Sequence, residues 1–204
     1  DVACNLAGLQ ATHRAEFAAA RQTLAAALAQ LPPPPLHLAS RIHCLQVSEA
    51  VAREAGDSAL AVTDIEQALR LDRQLAVGGL LAHHDNLQHA AMAYQFAGQV
   101  PAALRSYEAA GQLLPQLQLV DTASEEVLNA NWASLWFYAG RPLDGMARTR
   151  RARHIRNAGQ GESPTALTGM TFDDIALHQL GQLPQALAYA DRLVAQVDRS
   201  GHRL

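Results

Sequence analysis

Lysine is absent from this chain, and all sixteen basic residues are arginine. The formal net charge is −3, which gives no bulk attraction to nucleic acid or to an anionic lipid surface. Cysteine occurs only at Cys4 and Cys44. Two thiols so far apart in sequence read as neither a disulfide framework nor a metal site, and both are expected as small, half-buried apolar side chains. No apolar run approaches the roughly 20 residues that a membrane-spanning helix needs. Catalytic signatures are missing too: there is no P-loop, dinucleotide glycine motif, GxSxG, HExxH or workable Cys/His pair. Asp173 and Asp174 are adjacent and on a helix would point apart rather than act as a carboxylate pair. Neither an enzyme nor a cofactor is expected. No signal peptide is found, but the chain opens at Asp1 without methionine, so it is expected to be part of a longer protein.

What is present begins with apolar content. Hydrophobic residues make up 49% of the 204 positions, ample for a core and inconsistent with disorder. Abundant alanine with arginine in place of lysine suggests a GC-rich bacterial genome, and a bacterial cytoplasmic setting is the expectation. The central pattern is a ladder of glycines, Gly56, Gly98, Gly140 and Gly181, spaced 42, 42 and 41 residues apart. Each lies between two helix-like segments, and a fixed period of this size signals stacked helical hairpins. Five residues after each rung comes a small residue, Ala61, Ala103, Gly145 and Ala186. One period before Gly56 stands Arg14, with Ala19 and Ala20 following in the same columns. Twelve residues after the rungs come Ala26, Ala68, Ala110, Ala152 and Leu193. Five repeats follow, spanning approximately 1–35, 36–77, 78–119, 120–161 and 162–204 as one array over 1–204.

A glycine just past a helix end can take the left-handed conformation that closes it. The next helix then starts on Asp57 and Ser58, good N-cap types, or with Pro101, Pro142 and Pro184 in its first turn. Leu31 to Leu36 encloses four prolines and cannot continue a helix. Thr122 and Glu125 have capping-box spacing, and Ser163 with Pro164 reads as a further helix start. No segment sustains the alternation of a strand. The fold class is all-α, ten helices in five antiparallel pairs.

Between Leu87 and Pro115 the pattern becomes specific. Leu87, Ala90, Ala91, Tyr94, Gly98, Ala103, Tyr107, Ala110 and Pro115 stand at the spacing of the tetratricopeptide repeat, and this segment resembles a near-complete repeat of that family. Trp132, Ala133, Trp136, Gly140 and Ala152 match more loosely in the next repeat, as do Gly181, Leu183 and Ala186 in the last, where Asp173 and Asp174 depart from the family's small or apolar residues. The resemblance covers essentially the whole chain, with a period about eight residues longer than the usual thirty-four. Arrays of this longer kind occur in bacterial signalling proteins: large LuxR-type transcription activators, segments preceding GGDEF diguanylate cyclase domains, and peptide-pheromone receptors. The resemblance implies a right-handed superhelix whose concave surface is lined by the first helix of each pair.

Carried onto this sequence, the family's groove positions select His43, Gln46 and Arg53, then Asp85, Gln88, Met92, Gln95 and Phe96. They continue with Ser134, Phe137 and Tyr138, then Thr171, His178 and Gln179. Neutral amides and aromatics dominate, which suits an extended peptide or a polar small molecule. Family members that grip a C-terminal carboxylate use lysine and asparagine; with no lysine and only Asn131 available, no such clamp is expected. Arg148, Arg150, Arg151, Arg153 and Arg156, with His154 among them, form a basic patch suited to phosphate or carboxylate, although helical spacing spreads it over more than one face. His83, His84, Asp85 and His89 raise a metal reading, but one i,i+4 pair is too few ligands for a site.

The leading functional expectation is a non-catalytic binding region of a larger bacterial signalling or regulatory protein. It would capture a peptide, partner segment or small ligand in its groove and so bias an attached output domain. The alternatives are a stand-alone assembly scaffold and a nucleic-acid-binding helical repeat acting through Arg148–Arg156. Because solenoid ends normally need polar caps, the array is expected to continue, dock on another domain or form a homodimer.

Overall fold

The computed structural model describes residues 2–75, 79–158, 175 and 177–200. Among these there are helices and no strands. In chain order the helices are α1 (Val2–Arg14), α2 (Phe17–Gln30), α3 (Leu38–Glu54), α4 (Ser58–Asp72), α5 (Gly79–Phe96), α6 (Val100–Leu113), α7 (Ala123–Tyr138), α8 (Pro142–Ala158) and α9 (Leu183–Ser200). Ile175 and residues 177–179, ahead of Gly181, are also helical and precede α9. Thr171, Asp173, Asp174 and the expected Ser163–Pro164 helix start lie outside the described residues. No helix among the described residues is long and apolar enough to cross a membrane.

Every glycine of the ladder occupies the left-handed region, at φ of 78°, 71°, 68° and 72° for Gly56, Gly98, Gly140 and Gly181. In each case the next residue donates its N–H back five positions: Asp57 to Ala52, Gln99 to Tyr94, Arg141 to Trp136 and Gln182 to Leu177, all at 2.8–2.9 Å. These bonds satisfy carbonyls that a helix end would leave unpaired. The first repeat differs from the expected register. Its left-handed residue is Ala15 (φ 53°), not Arg14, and Glu16 reaches back six residues to Gln10. The turn is one residue longer, so the small column falls on buried Ala20 while Ala19 is exposed. An L-residue in this conformation costs about 1–2 kcal/mol, which the other repeats avoid by using glycine.

The chain divides into two compact units, the first ending at Leu113 and the second beginning at Leu114. In the first unit α1 packs on α2, α3 on α4 and α5 on α6, with α3 touching both α1 and α5. One core cluster joins Ile42, Leu45, Ile65, Leu71, Ala90 and Ala93; a second joins Cys4, Ala7, Ala11, Leu24, Cys44 and Val51. The second cluster corrects the reading of the two thiols. Cys4 and Cys44 form a disulfide, with Cα atoms 5.2 Å apart, and both are fully buried. Their separation of 40 residues is close to one repeat. Stacking the first helix of one repeat on that of the next therefore brings together residues that look remote along the chain. At the polyproline boundary, Arg41 donates to the carbonyls of Leu31 and Pro32 at 2.9 and 3.1 Å, holding the break against α3.

In the second unit α7 and α8 pack as an antiparallel pair. The +5 glycine, Gly145, faces the ring of Phe137, and a Cβ at this position would overlap that ring. Phe137, expected in the groove, is instead a core side chain packed with Ala133 and Met146. The Gly145→Ala variant is expected to lose about 1–3 kcal/mol through overpacking, despite alanine's better helix propensity. Urea unfolding checks this; an unchanged midpoint would refute the close contact. The capping box at Thr122 forms differently from expectation. The Thr122 hydroxyl donates to Leu119 O at 2.6 Å, and Glu125 accepts from the backbone N–H of Asp121 rather than of Thr122. Asp57 does cap α4, accepting from Leu60 N at 3.2 Å.

Candidate functional site

The candidate site lies in the first unit, where the first helices α1, α3 and α5 stand side by side. They enclose a cavity of about 210 Å³ lined by Gly8, Ala11, Thr12, His43, Gln46, Val47, Ala50, Val51, Glu54 and His89. The α1 wall is made of small residues. Gly8 has no Cβ, and one placed there would meet Val47 at ordinary contact, 3.4 Å, so its absence contributes open space. Val47, Ala50 and Val51 form an apolar wall on α3, with His43, Gln46 and Glu54 on the same helix.

Three polar contacts tie these helices across the repeats. His43 Nε2 lies 2.7 Å from Asn5 Oδ1, Gln46 Nε2 donates to Asn86 Oδ1 at 2.9 Å, and His89 Nδ1 lies 2.7 Å from Glu49 Oε2. Glu49 is fully buried, and its other oxygen accepts from Arg53 Nε at 2.8 Å. A buried carboxylate is tolerated only when its lone pairs are occupied in this way. The contacts also fix protons. An amide oxygen or a carboxylate can only accept, so His43 carries its proton on Nε2 and His89 on Nδ1. The remaining ring nitrogen of neutral His43, Nδ1, is an acceptor. Burial foremost, with the charge of His89 adding, holds His43 below the ordinary histidine range, which keeps it neutral at pH 7.

His43 and Gln46 line the cavity as named from the sequence. Arg53 does not; its guanidinium is paired to Glu49 and lies 5.4 Å from the centroid of the exposed Phe96 ring. On α5, Asp85 is exposed, its Oδ1 3.3 Å from His84 Nδ1, and Gln88 Nε2 lies 3.3 Å from the same nitrogen. Met92 is half-buried, and Gln95 accepts from Tyr107 Oη at 3.5 Å. In the second unit, Ser134 donates to Asn131 O at 2.7 Å, Tyr138 is 76% exposed, His178 is exposed, and Gln179 donates to Phe137 O at 3.1 Å. Sequence reasoning passed over Gly8, Ala11, Thr12, Val47, Ala50, Val51 and Glu54, and weighed His89 only in the metal reading. Val47 and His89 each stand nine residues before a rung, a column that the period alone could have exposed.

The arginine patch is largely absorbed within the second unit. Arg151 makes hydrogen bonds to both Glu125 oxygens at 2.8 and 2.9 Å and to Asp121 at 2.8 Å. Arg156 pairs with Glu126 at 2.9 Å, Arg148 donates to Asn129 and stacks 3.4 Å from the Trp132 ring centroid, and Arg153 donates to Tyr189 Oη. Arg150 and His154 are exposed. Among the described residues no group of three or more His, Cys, Asp or Glu is arranged to hold a metal ion. His83 is hydrogen-bonded to Asp72 at 2.5 Å, while His89 is committed to Glu49.

No family model matches the sequence. No curated protein matches it either. The fold does match solved structures. Two crystal structures of nearly identical TPR-like repeats, assigned to a kinesin light chain of Podosopora anserina, superpose with TM-scores of 0.73 and 0.68. Sequence identity is 17% and 19%, with 98% and 97% of this chain and 96% and 95% of the respective neighbour covered. At that identity the likeness speaks to fold alone. Together with the left-handed rungs and the paired helices, it identifies the chain as an all-α, tetratricopeptide-like helical repeat.

Proposed function

We propose that this chain is a non-catalytic interaction module that holds a segment of a partner protein against α1, α3 and α5. The observation that carries this reading is the cavity itself: first helices of three successive repeats converge on one recess with both an apolar wall and unspent acceptors. Recesses combining an apolar surface with a few fixed polar groups are what ligand sites require, and the repeat contacts make this one largely pre-formed, which lowers the ordering cost of binding. The setting we favour is a bacterial regulatory protein, in which capture of the segment biases an attached output domain.

A plug tests the reading. Gly8→Met places a flexible side chain in the cavity from a helical position whose nearest neighbour leaves room for a Cβ. Peptides selected on the wild-type chain from a random display library are expected to bind Gly8→Met at least tenfold more weakly, with the melting temperature maintained or raised. Equal binding to both proteins, or the selection of no peptide at all, would sink the proposal.

A further inference from the structure

We infer that the recess between α1, α3 and α5 accepts one basic side chain, arginine or lysine, from the bound segment. This rests on the groove reading above and adds the chemistry of the anchor. Size is the first argument. At about 210 Å³ the recess falls below the roughly 300–1,000 Å³ typical of sites for drug-sized ligands, so it suits a single side chain. Shape and polarity then divide the candidates. Ala11, Val47, Ala50 and Val51 supply an apolar sleeve, which matches the aliphatic stem that arginine and lysine bury while their heads seek polar partners.

The polar lining includes several acceptors. His43 spends its Nε2 proton on Asn5, His89 spends its Nδ1 proton on Glu49, and Gln46 spends amide hydrogen on Asn86. His43 is left with an acceptor at Nδ1, and Gln46 with its carbonyl oxygen and one remaining amide hydrogen. Thr12 directs its hydroxyl proton to Gly8 O at 2.9 Å, and Glu54 adds a carboxylate on an exposed lining residue. No arginine is among the lining residues, and Arg53 nearby is already neutralised by Glu49. An acidic side chain would therefore meet lone pairs and a like charge. A purely apolar one would strand the acceptors without hydrogen-bond partners. A cation with several N–H donors satisfies them.

The inference carries a pH dependence. The titratable groups facing the recess are His43 and Glu54 from α3, with Glu49 behind them, and His89 from α5; α1 contributes none among its lining residues. Protonating His43 converts its acceptor into a cationic donor, so affinity for a basic side chain falls as pH falls.

The test is a titration of the whole chain with terminally blocked single amino acids, followed by NMR of the His43 and His89 ring signals. The probes are acetyl-arginine, acetyl-citrulline, acetyl-norleucine and acetyl-glutamate methylamides. At pH 7.5 arginine is expected to bind about tenfold more tightly than citrulline, its neutral isostere, as hydrogen bonds to charged groups exceed neutral ones. Glutamate should bind least. Glu54→Gln should weaken arginine about two- to fivefold and leave citrulline unchanged, and arginine should weaken at pH 5.5. Citrulline or norleucine equal to arginine, or preferential binding of glutamate, overturns the basic anchor. So does a display selection that yields peptides blocked by Gly8→Met but not enriched in Arg or Lys; in that case the groove reading survives alone. Absence of any binding overturns both.

Discussion

Reducing the Cys4–Cys44 bond lowers the stability of the first unit by about 4 kcal/mol. The figure follows from the chain entropy that a cross-link closing a loop of this length, 40 residues, removes from the unfolded state. The fold has little else with which to hold α1 in place. Its inward face is Cys4, Ala7 and Ala11, small side chains that bury little area, while Val2, Leu6 and Leu9 are exposed. At about 25 cal/mol per Å² of apolar surface, such an interface is weak by itself. Amide exchange across Cys4–Ala11 should accelerate on adding reductant, and a Cys4→Ala/Cys44→Ala double variant should match the reduced protein. Two titratable thiols in the unreduced, unfolded chain would refute the bond outright. A reduction-induced loss below about 1 kcal/mol would show that α1 is held by its packing.

Arg151→Gln is expected to cost the second unit about 2–3 kcal/mol at neutral pH. The variant leaves Glu125, only 8% exposed, with the Asp121 N–H as its remaining close partner, and stranding a mostly buried carboxylate carries a penalty of this order. In the wild type, burial pushes the Glu125 carboxyl up. The Arg151 hydrogen bonds, the Asp121 N–H and the charges of Arg151 and Arg148 outweigh it and hold the group below the ordinary range. A depressed carboxylate stabilises above its unfolded value, about 4.3, and loses that contribution as pH falls through its native value. The gap between wild type and Arg151→Gln should therefore be full at pH 7 and close on acidification below about pH 4. Tryptophan fluorescence isolates the effect, since both tryptophans, Trp132 and Trp136, lie on α7. A gap that persists unchanged at pH 3 would argue that Arg151 acts through packing rather than charge.

Local chemistry made much of the fold legible in the sequence. A glycine is needed where the backbone turns left-handed, a small residue where two helices touch, and a proline where a helix begins, so those columns appear in one sequence without an alignment. The first rung was misplaced by one because alanine there carries no such mark; only the conformation of Ala15 reveals it. The disulfide was missed because sequence distance was taken for spatial distance, although in a stacked array a separation of one period means contact. The site was half visible. His43 and Gln46 could be found from the period, but Gly8 and Ala11 could not, because a void has no residue type of its own. Nor could composition separate Arg151, spent on Asp121 and Glu125, from a free arginine.

The contacts that build the recess share one further property. Asn5 to His43 spans 38 residues, while Gln46 to Asn86 and Glu49 to His89 each span 40. Each joins a residue to its counterpart region one block later, so the partners travel with the block rather than with any absolute position. Duplicating one block in frame would copy both halves of such a contact and lengthen the lined surface by a row. An insertion of a few residues within a helix would disturb only the contacts that span it. In this chain the interval that folds a hairpin is also the interval that aligns side chains along the recess, and the lined surface can grow or shrink only in whole steps.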